Sequence, residues 1–347
     1  MNAEAFHKSL TVIDGHCDTI LDLMGQGCSD PPTGPRDFFS SDGRGMVDLP
    51  RLEEGGVACQ VMALFTDTPY LDDAAAYTMR CLDFADRLFE TQPARFSHAT
   101  KTADIRAAKA AGRVSGLISI EGGEALGRAP GEDSGPEAEA LIGNLRAFYR
   151  RGIRLITLTW SRPNPLGMGV SPSSQPQKAG GLTPLGRRVV HEMEKLGMVV
   201  DVSHLSDQGL DDVLKTAERP IVASHSNSRA LCSTRRNLRD DQAEAIAETG
   251  GLIGLTFCGP FIDPDPAKVS RERWFAHLEH LISVAGIDHV GLGSDFDGYQ
   301  LKSGRSINSC AELPWISSRM LEAGYSEADT AKVMGGNWLR VFSETIG

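Results

Sequence analysis

The sequence offers no CxxC pair, no apolar run approaching the ~18 residues that cross a bilayer, and no surplus of basic residues. Each absence excludes something. The seven cysteines (Cys17, Cys28, Cys59, Cys81, Cys232, Cys258 and Cys310) are scattered and odd in number, which argues for free thiols in a reducing compartment rather than a disulfide framework. The opening MNAEAFHKSL lacks the apolar stretch of a secretory signal, so a cytoplasmic address without membrane attachment is expected. With 46 acidic against 35 basic residues and a formal charge of −11, the chain lacks the clustered Lys and Arg on which nucleic-acid binding draws. A small-molecule substrate is the better expectation. Apolar residues make up 41% and charged residues 23% of the 347, ordinary proportions for a folded chain with a full core.

What the chain does have is an alternation of short apolar or β-branched runs with amphipathic helical stretches, the pattern of βα units around a parallel sheet. Eight such runs stand at 11–15, 57–65, 115–120, 154–159, 198–203, 220–224, 252–257 and 289–294. Their nearly continuous apolar character fits strands covered on both faces. Helices are expected over 72–90, 136–151, 241–249 and 272–285. Another begins with Thr183 as N-cap and Pro184 in the first turn and ends at Gly197, while Ser206 and Ser326 read as further N-caps. More helices are expected after Glu312. Eight strands in this order predict one α/β domain over 1–347, a closed (β/α)8 TIM-type barrel with extra C-terminal helices. Two aperiodic stretches, 25–48 and 161–182, each follow a strand and are expected over the face where barrel enzymes keep their chemistry, as candidate lids.

Chemistry-bearing residues gather at the strand ends. IDGHCD puts His16 and Asp18 on one face of an extended chain; ISIEGG delivers Glu121, DVSH His204, ASH His225 and GLGSDFDG Asp295. Imidazole and carboxylate donors converging on one barrel face suit zinc, and five ligands are too many for one ion. Sharing Glu121 between two ions resolves this, with His16 and Asp18 completing one site and His204 and His225 the other. Asp295 is then an uncommitted carboxylate for proton transfer. The other histidines receive no role. His277 and His280 are spaced i, i+3 in an outer helix and are expected to be exposed, and His289 opens a strand on the opposite face.

The segments VIDGHCD, ISIEGGEAL, DVSH, ASHSNSRALCSTRRN and VGLGSDFDG follow one another in the order found in membrane (renal) dipeptidases. Over nearly its whole length the chain resembles that family of amidohydrolase-like metal-dependent hydrolases, in a soluble bacterial-type form. The resemblance implies a zinc dipeptidase that attacks the peptide bond with a hydroxide bridging two ions, acceptance of L-Xaa-D-Xaa substrates, and a homodimer. It implies the same ligand division and the same role for Asp295. It also adds Arg236, of CSTRRN, as the holder of the substrate's C-terminal carboxylate, a task suited to a planar guanidinium fork.

The sequence departs from the animal members of the family in two places. It closes on ETIG without the apolar tail of a lipid-anchor signal, and LITLTW puts Trp160 where those members carry a substrate-touching histidine. Indole has one N–H donor and no titratable nitrogen, so Trp160 is expected to contact substrate as an apolar wall. Two rival readings exist: another binuclear amidohydrolase (lactonase, phosphotriesterase-like or deaminase) and a non-catalytic zinc-binding scaffold. Against the first stand Thr159 and Trp160, where many such enzymes have a modified lysine; against the second stands the presence of both Glu121 and Asp295.

Overall fold

The structure, a computed structural model, describes residues 3–26, 35–171, 175–299 and 306–347. Its strands are β1 (Val12–Cys17), β2 (Val57–Phe65), β3 (Phe96–His98), β4 (Val114–Glu121), β5 (Leu155–Thr157), β6 (Val199–Asp201), β7 (Ile221–Ala223), β8 (Leu252–Leu255) and β9 (Val290–Leu292). All pair in parallel in the order β2-β1-β9-β8-β7-β6-β5-β4-β3, and β2 pairs again with β4, which closes eight of them into a barrel. The seam runs in register from Cys59 opposite Ser115 to Phe65 opposite Glu121. Phe65 and Glu121 therefore finish level at the C-terminal face.

The ninth strand, β3, was not foreseen from the sequence. It shares one edge of β4 with β5, pairing with 114–116 while β5 takes 119–121. Three residues with a single large apolar side chain give no periodic signal. The expected helices appear as Ala74–Thr91, Pro136–Arg150, Pro184–Leu196, Asp240–Glu248 and Arg271–Ala285, and Pro314–Glu322 opens the C-terminal set. Thr102–Ala110 is an addition. The caps are as read. Thr183, Ser206 and Ser326 accept from the backbone N–H of Gly186, Gly209 and Asp329, and Gly197 ends its helix at φ 74°, a left-handed C-cap that glycine adopts without a Cβ clash.

The N-terminal halves of the strands are filled by apolar side chains. Ile13, Val61, Leu117, Leu155, Val199 and Leu252 pack with Trp338 and Phe342 of the last helix, Asn337–Thr345. The indole of Trp338 lies so close to Gly15 that a Cβ there would fall 2.0 Å from its ring, so the glycine of IDGHCD makes room for the plug. With apolar groups filling that half, the polar residues collect at the C-terminal ends.

One expectation needs revision. His277 is fully buried, its Nε2 on the carbonyl of Ile262 (2.9 Å) and its Nδ1 accepting from the N–H of Ser228 (3.2 Å). Its helix turns that side chain inward against the segment after β8, which helical spacing alone does not reveal; burial pushes the imidazole pKa down to about 4. The described parts of the two aperiodic stretches are packed at some positions and exposed at others, 40–43 among them. Phe38, Met46 and Val47 are buried, and Gly167 and Gly169 form bridges with Leu182 and Leu205. The rest of those stretches, 27–34 and 172–174, lies outside the described residues, as does Cys28. Among the described residues no helix is long and apolar enough to cross a membrane.

Candidate metal centre and active site

The six charged or imidazole side chains expected at the strand ends meet at one place. His16 is in β1, and Asp18 immediately precedes the short helix Thr19–Leu23. Glu121 ends β4, His204 and His225 follow β6 and β7, and Asp295 follows β9. Glu121 is central: its Oε2 lies 4.0 Å from His16 Nε2, while its Oε1 lies 2.9 Å from His204 Nε2 and 3.5 Å from His225 Nε2. One carboxylate thus faces an imidazole on one side and a pair on the other, the disposition a shared ligand requires.

Whether these donors fit metal ions can be judged from their unmet polar atoms. His16 is fully buried, yet neither ring nitrogen has a hydrogen-bond partner, an arrangement that costs free energy unless something else takes the lone pair. Its Nε2 is 3.4 Å from Asp18 Oδ2 and 3.9 Å from Asp295 Oδ1. Two donor triads lie within metal-binding reach, His16 with Glu121 and His225, and His16 with Asp18 and Asp295. The residues fit. The second triad includes Asp295, which stands beside His16 and Asp18.

The tautomer of His225 follows from its neighbours. Ser224 Oγ donates to Asp201 Oδ2 (2.6 Å) and contacts His225 Nδ1 at 2.7 Å. The hydroxyl has one proton, so Nδ1 must donate to Ser224, leaving the Nε2 lone pair toward Glu121. Asp201 is fully buried and accepts four hydrogen bonds, from the N–H groups of Ser203 and Ser224 and the hydroxyls of Thr157 and Ser224. Asp14 serves β9 in a similar way, taking the N–H and hydroxyl of Ser294 and the amide of Gln60. Ser161 contacts His204 Nδ1 at 2.8 Å. Partners of this kind fix ligand orientation in metal sites.

Electrostatics point the same way. Burial and crowding push Asp18 and Asp295 up to about 7 and Glu121 well above the usual carboxylate range, with Asp18 the main neighbour raising Glu121. Burial holds His204 and His225 well below theirs, helped by Arg236 and His16. Strain is present too: His204, Asp295 and Asp297 have φ of 65°, 63° and 64°, left-handed conformations that cost about 1–3 kcal/mol each for residues with a side chain. Gly298 completes the turn where a Cβ would lie 2.2 Å from Asp18 Oδ2 and 2.6 Å from Asp295 Oδ1.

A cavity of about 390 Å³ opens over the cluster, with Asp18, Glu121, His204 and Asp295 in its floor and Phe65, Trp160 and Phe261 among its walls. Trp160 is held with its ring centroid 5.2 Å from Phe65 and 5.9 Å from His204, and with Arg162 Cζ 5.0 Å from its own. Arg236 is buried, not solvated: Nη1 donates to Ser226 Oγ (2.9 Å) and Nη2 to the carbonyl of His225 (2.8 Å), with Nε unpartnered. A larger cleft of about 1010 Å³ lies among Pro184, Arg187 and Glu218, but it sits on the outer helices, away from every strand end that carries these groups.

The model of the membrane dipeptidase family, peptidase family M19, matches residues 1–346. The chain belongs to that family. Among similar solved structures is the metallopeptidase called dipeptidase AC, 32% identical, with a TM-score of 0.84 and 98% of this chain and 99% of that one covered. Another is a metallopeptidase from Rhodobacter sphaeroides liganded with a phosphinate mimic of the dipeptide L-Ala-D-Ala, also 32% identical, with a TM-score of 0.82 over 97% and 99% of the two chains. A probable dipeptidase from Pseudomonas aeruginosa, PvdM, shares the fold at 23% identity and a TM-score of 0.82 over 99% and 97%. As a member of this family the protein is a metal-dependent dipeptidase. Sequence reasoning missed Ser161, Ser224, Asp201 and Asp14; the only signal for the serines was their adjacency to Trp160 and His225.

Proposed function

We propose that the protein is a binuclear zinc dipeptidase in which Glu121 is shared between an ion held with His16 and Asp18 and an ion held with His204 and His225. The observation that carries this reading is the placement of the two Glu121 oxygens, one toward His16 and one toward the His204–His225 pair. Such ions supply Lewis acidity toward a carbonyl oxygen and lower the pKa of a coordinated water to about 7.

The chain's own groups do the rest. Asp295, buried and with its pKa raised to about 7, is poised to take a proton from the attacking water and return it to the departing amine, the match between pKa and working pH that general acid–base catalysis needs. Arg236 binds the substrate's C-terminal carboxylate, for which its unpartnered Nε and the second N–H of each terminal nitrogen remain as donors. Trp160 and Phe65 form the apolar wall against the substrate side chain and keep water from it. The R. sphaeroides protein holds a mimic of L-Ala-D-Ala, which supports acceptance of a D residue on the carboxyl side here.

The proposal extends to a cytoplasmic homodimer. All six described cysteines are buried thiols, the state a reducing compartment maintains; light scattering tests the assembly. For activity, zinc-loaded enzyme is offered L-L, L-D and D-L dipeptides beside lactone and phosphotriester controls, with metal measured per chain. Hydrolysis of dipeptides with about two zinc ions bound is expected. Activity confined to the controls, or full activity with one ion, overturns the reading.

A further inference from the structure

A second buried ionic cluster lies against the metal centre. Arg36, from the described part of the first long loop, donates through Nε to Asp22 and through Nη2 to Asp297 Oδ2 (3.0 Å). All three side chains are nearly closed to solvent, 1% exposed for Arg36, 6% for Asp22 and 2% for Asp297. Asp297 also accepts from Thr19 Oγ1 (2.8 Å) and from the N–H of Met46 (2.6 Å), so its carboxylate is fully engaged by β1's following helix and by the loop. Gly45, at φ 60°, has no room for a Cβ, which would fall 2.4 Å from Arg36 Nη2. The loop backbone therefore lies directly on the guanidinium.

Asp297 belongs to the strained turn that carries Asp295. The turn is tied to the end of β1 by Asp295 N to His16 O (3.1 Å) and Asp18 N to Phe296 O (2.8 Å), and Gly298 presses on the carboxylates of Asp18 and Asp295. Four carboxylates, those of Asp18, Asp22, Asp295 and Asp297, are thus crowded into one buried region, and like charges at such range repel strongly. Arg236 stands on the other side, bonded to Ser226 and the His225 carbonyl. Arg36 is the cation that faces Asp22 and Asp297.

We infer that Arg36 is a positioning residue for one half of the metal centre: by clamping Asp297 it holds the 295–298 turn, and with it Asp18 and Asp295, in the geometry that binds an ion, while the His204–His225 half does not depend on it. The inference rests on the reading of Asp18 as a ligand. The turn has two left-handed non-glycine residues to keep in place, and the clamp supplies what local propensity does not.

The test is a zinc titration against a competing chelator, read as two separate affinities, on full-length Arg36→Met. The ion that Asp18→Asn weakens should lose about 10–100-fold in affinity, the size of effect seen when the surroundings that orient a metal ligand are removed, while the other stays within about threefold. kcat at limiting zinc should fall with it. Wild-type affinity for both ions, with only thermal stability lowered, overturns the inference, because an ordinary structural ion pair would behave that way. If Arg36→Met does not fold because Asp22 and Asp297 are left uncompensated, the variant carrying Arg36→Met, Asp22→Asn and Asp297→Asn removes every charge of the cluster, and the same two affinities are read on it. Asp18→Asn is the control. If it keeps both ions at wild-type affinity, the ligand reading fails first and the Arg36 inference falls with it; if it loses one ion and Arg36→Met does not weaken that ion, only the inference fails.

Discussion

His204 and His225 bring their Nε2 atoms to 2.9 Å from each other beside one oxygen of Glu121, while each Nδ1 contacts a serine hydroxyl, Ser161 at 2.8 Å and Ser224 at 2.7 Å. At this distance the Nε2–H of one ring can donate to the lone pair of the other; a cation beside Glu121 would take both lone pairs instead. Ser224 matters because it passes the orienting effect of Asp201 to His225. Ser224→Ala should lower zinc affinity about 10–100-fold. The measurement is chelator competition, and an unchanged affinity would show that Ser224 serves only the packing of β7.

Zinc binding should strengthen with pH. In the metal-free fold, burial raises the pKa values of Asp18 and Asp295 to about 7 and that of Glu121 well above the usual carboxylate range. Protonated carboxyls contribute stability that is fully present below the unfolded value near 4 and lost as pH rises through about 7. His204 and His225 are depressed, so they oppose folding as pH falls below about 6.5. Zinc needs the carboxylates deprotonated and the imidazoles neutral. Apparent affinity should therefore rise about tenfold or more per pH unit between pH 5.5 and 7, and the gain in Tm from zinc should grow over the same window. A gain in Tm that is flat or falling with pH would sink this account of the site.

Much of the centre was legible because barrel chemistry sits where each strand stops, so that HxD, EGG, VSH, ASH and SDFD could be ordered without coordinates. What escaped has a common physical form. The Arg36–Asp297 contact spans 261 residues and Asp14–Ser294 spans 280, and neither has a local pattern: an Arg in a loop and an Asp in a strand look the same whether solvated or clamped. β3 was too short to alternate, and His277 was misjudged because helical spacing gives a face but not what packs on it. The strand ends were overrun as well. Asp201 closes β6 and Leu292 closes β9, since the last residues leave the ladder to reach the site.

Asp295→Asn should keep both ions and lower kcat by roughly 10²–10⁴-fold, the range for lost acid–base assistance. The position of Asp295 Oδ1, 3.9 Å from His16 Nε2, makes the metal analysis decisive. Loss of an ion along with activity would make Asp295 a ligand instead of the proton carrier.

Arg236→Ala should reduce kcat/KM on dipeptides far more than on dipeptide amides, because only the former offer a carboxylate to the guanidinium. Since two of its nitrogens already hold Ser226 and the His225 carbonyl, some loss of stability should accompany the change, measurable as a lower Tm. Equal losses of kcat/KM on both substrate types would leave Arg236 with that structural role alone.

Trp160 stands where the resemblance to animal members of the family implied a histidine, and the structure gives its indole a fixed setting between Phe65, His204 and the Arg162 guanidinium. A ring held on three sides cannot swing to follow a developing charge, and indole has no second nitrogen to shuttle a proton. Its large rigid face is well suited to limiting the shape of the side chain that enters the cavity. Trp160→Phe keeps most of that face and removes the N–H. It should hold kcat within about tenfold on a small dipeptide, short of the 10²–10³-fold lost when an oxyanion donor is deleted. Trp160→Ala opens the wall beside Phe65 and should shift preference toward bulkier side chains, read as the ratio of kcat/KM for a large against a small residue. A hundredfold fall in kcat for the Phe variant, with zinc content and Tm unchanged, would instead make the indole N–H the donor that stands in for the missing histidine.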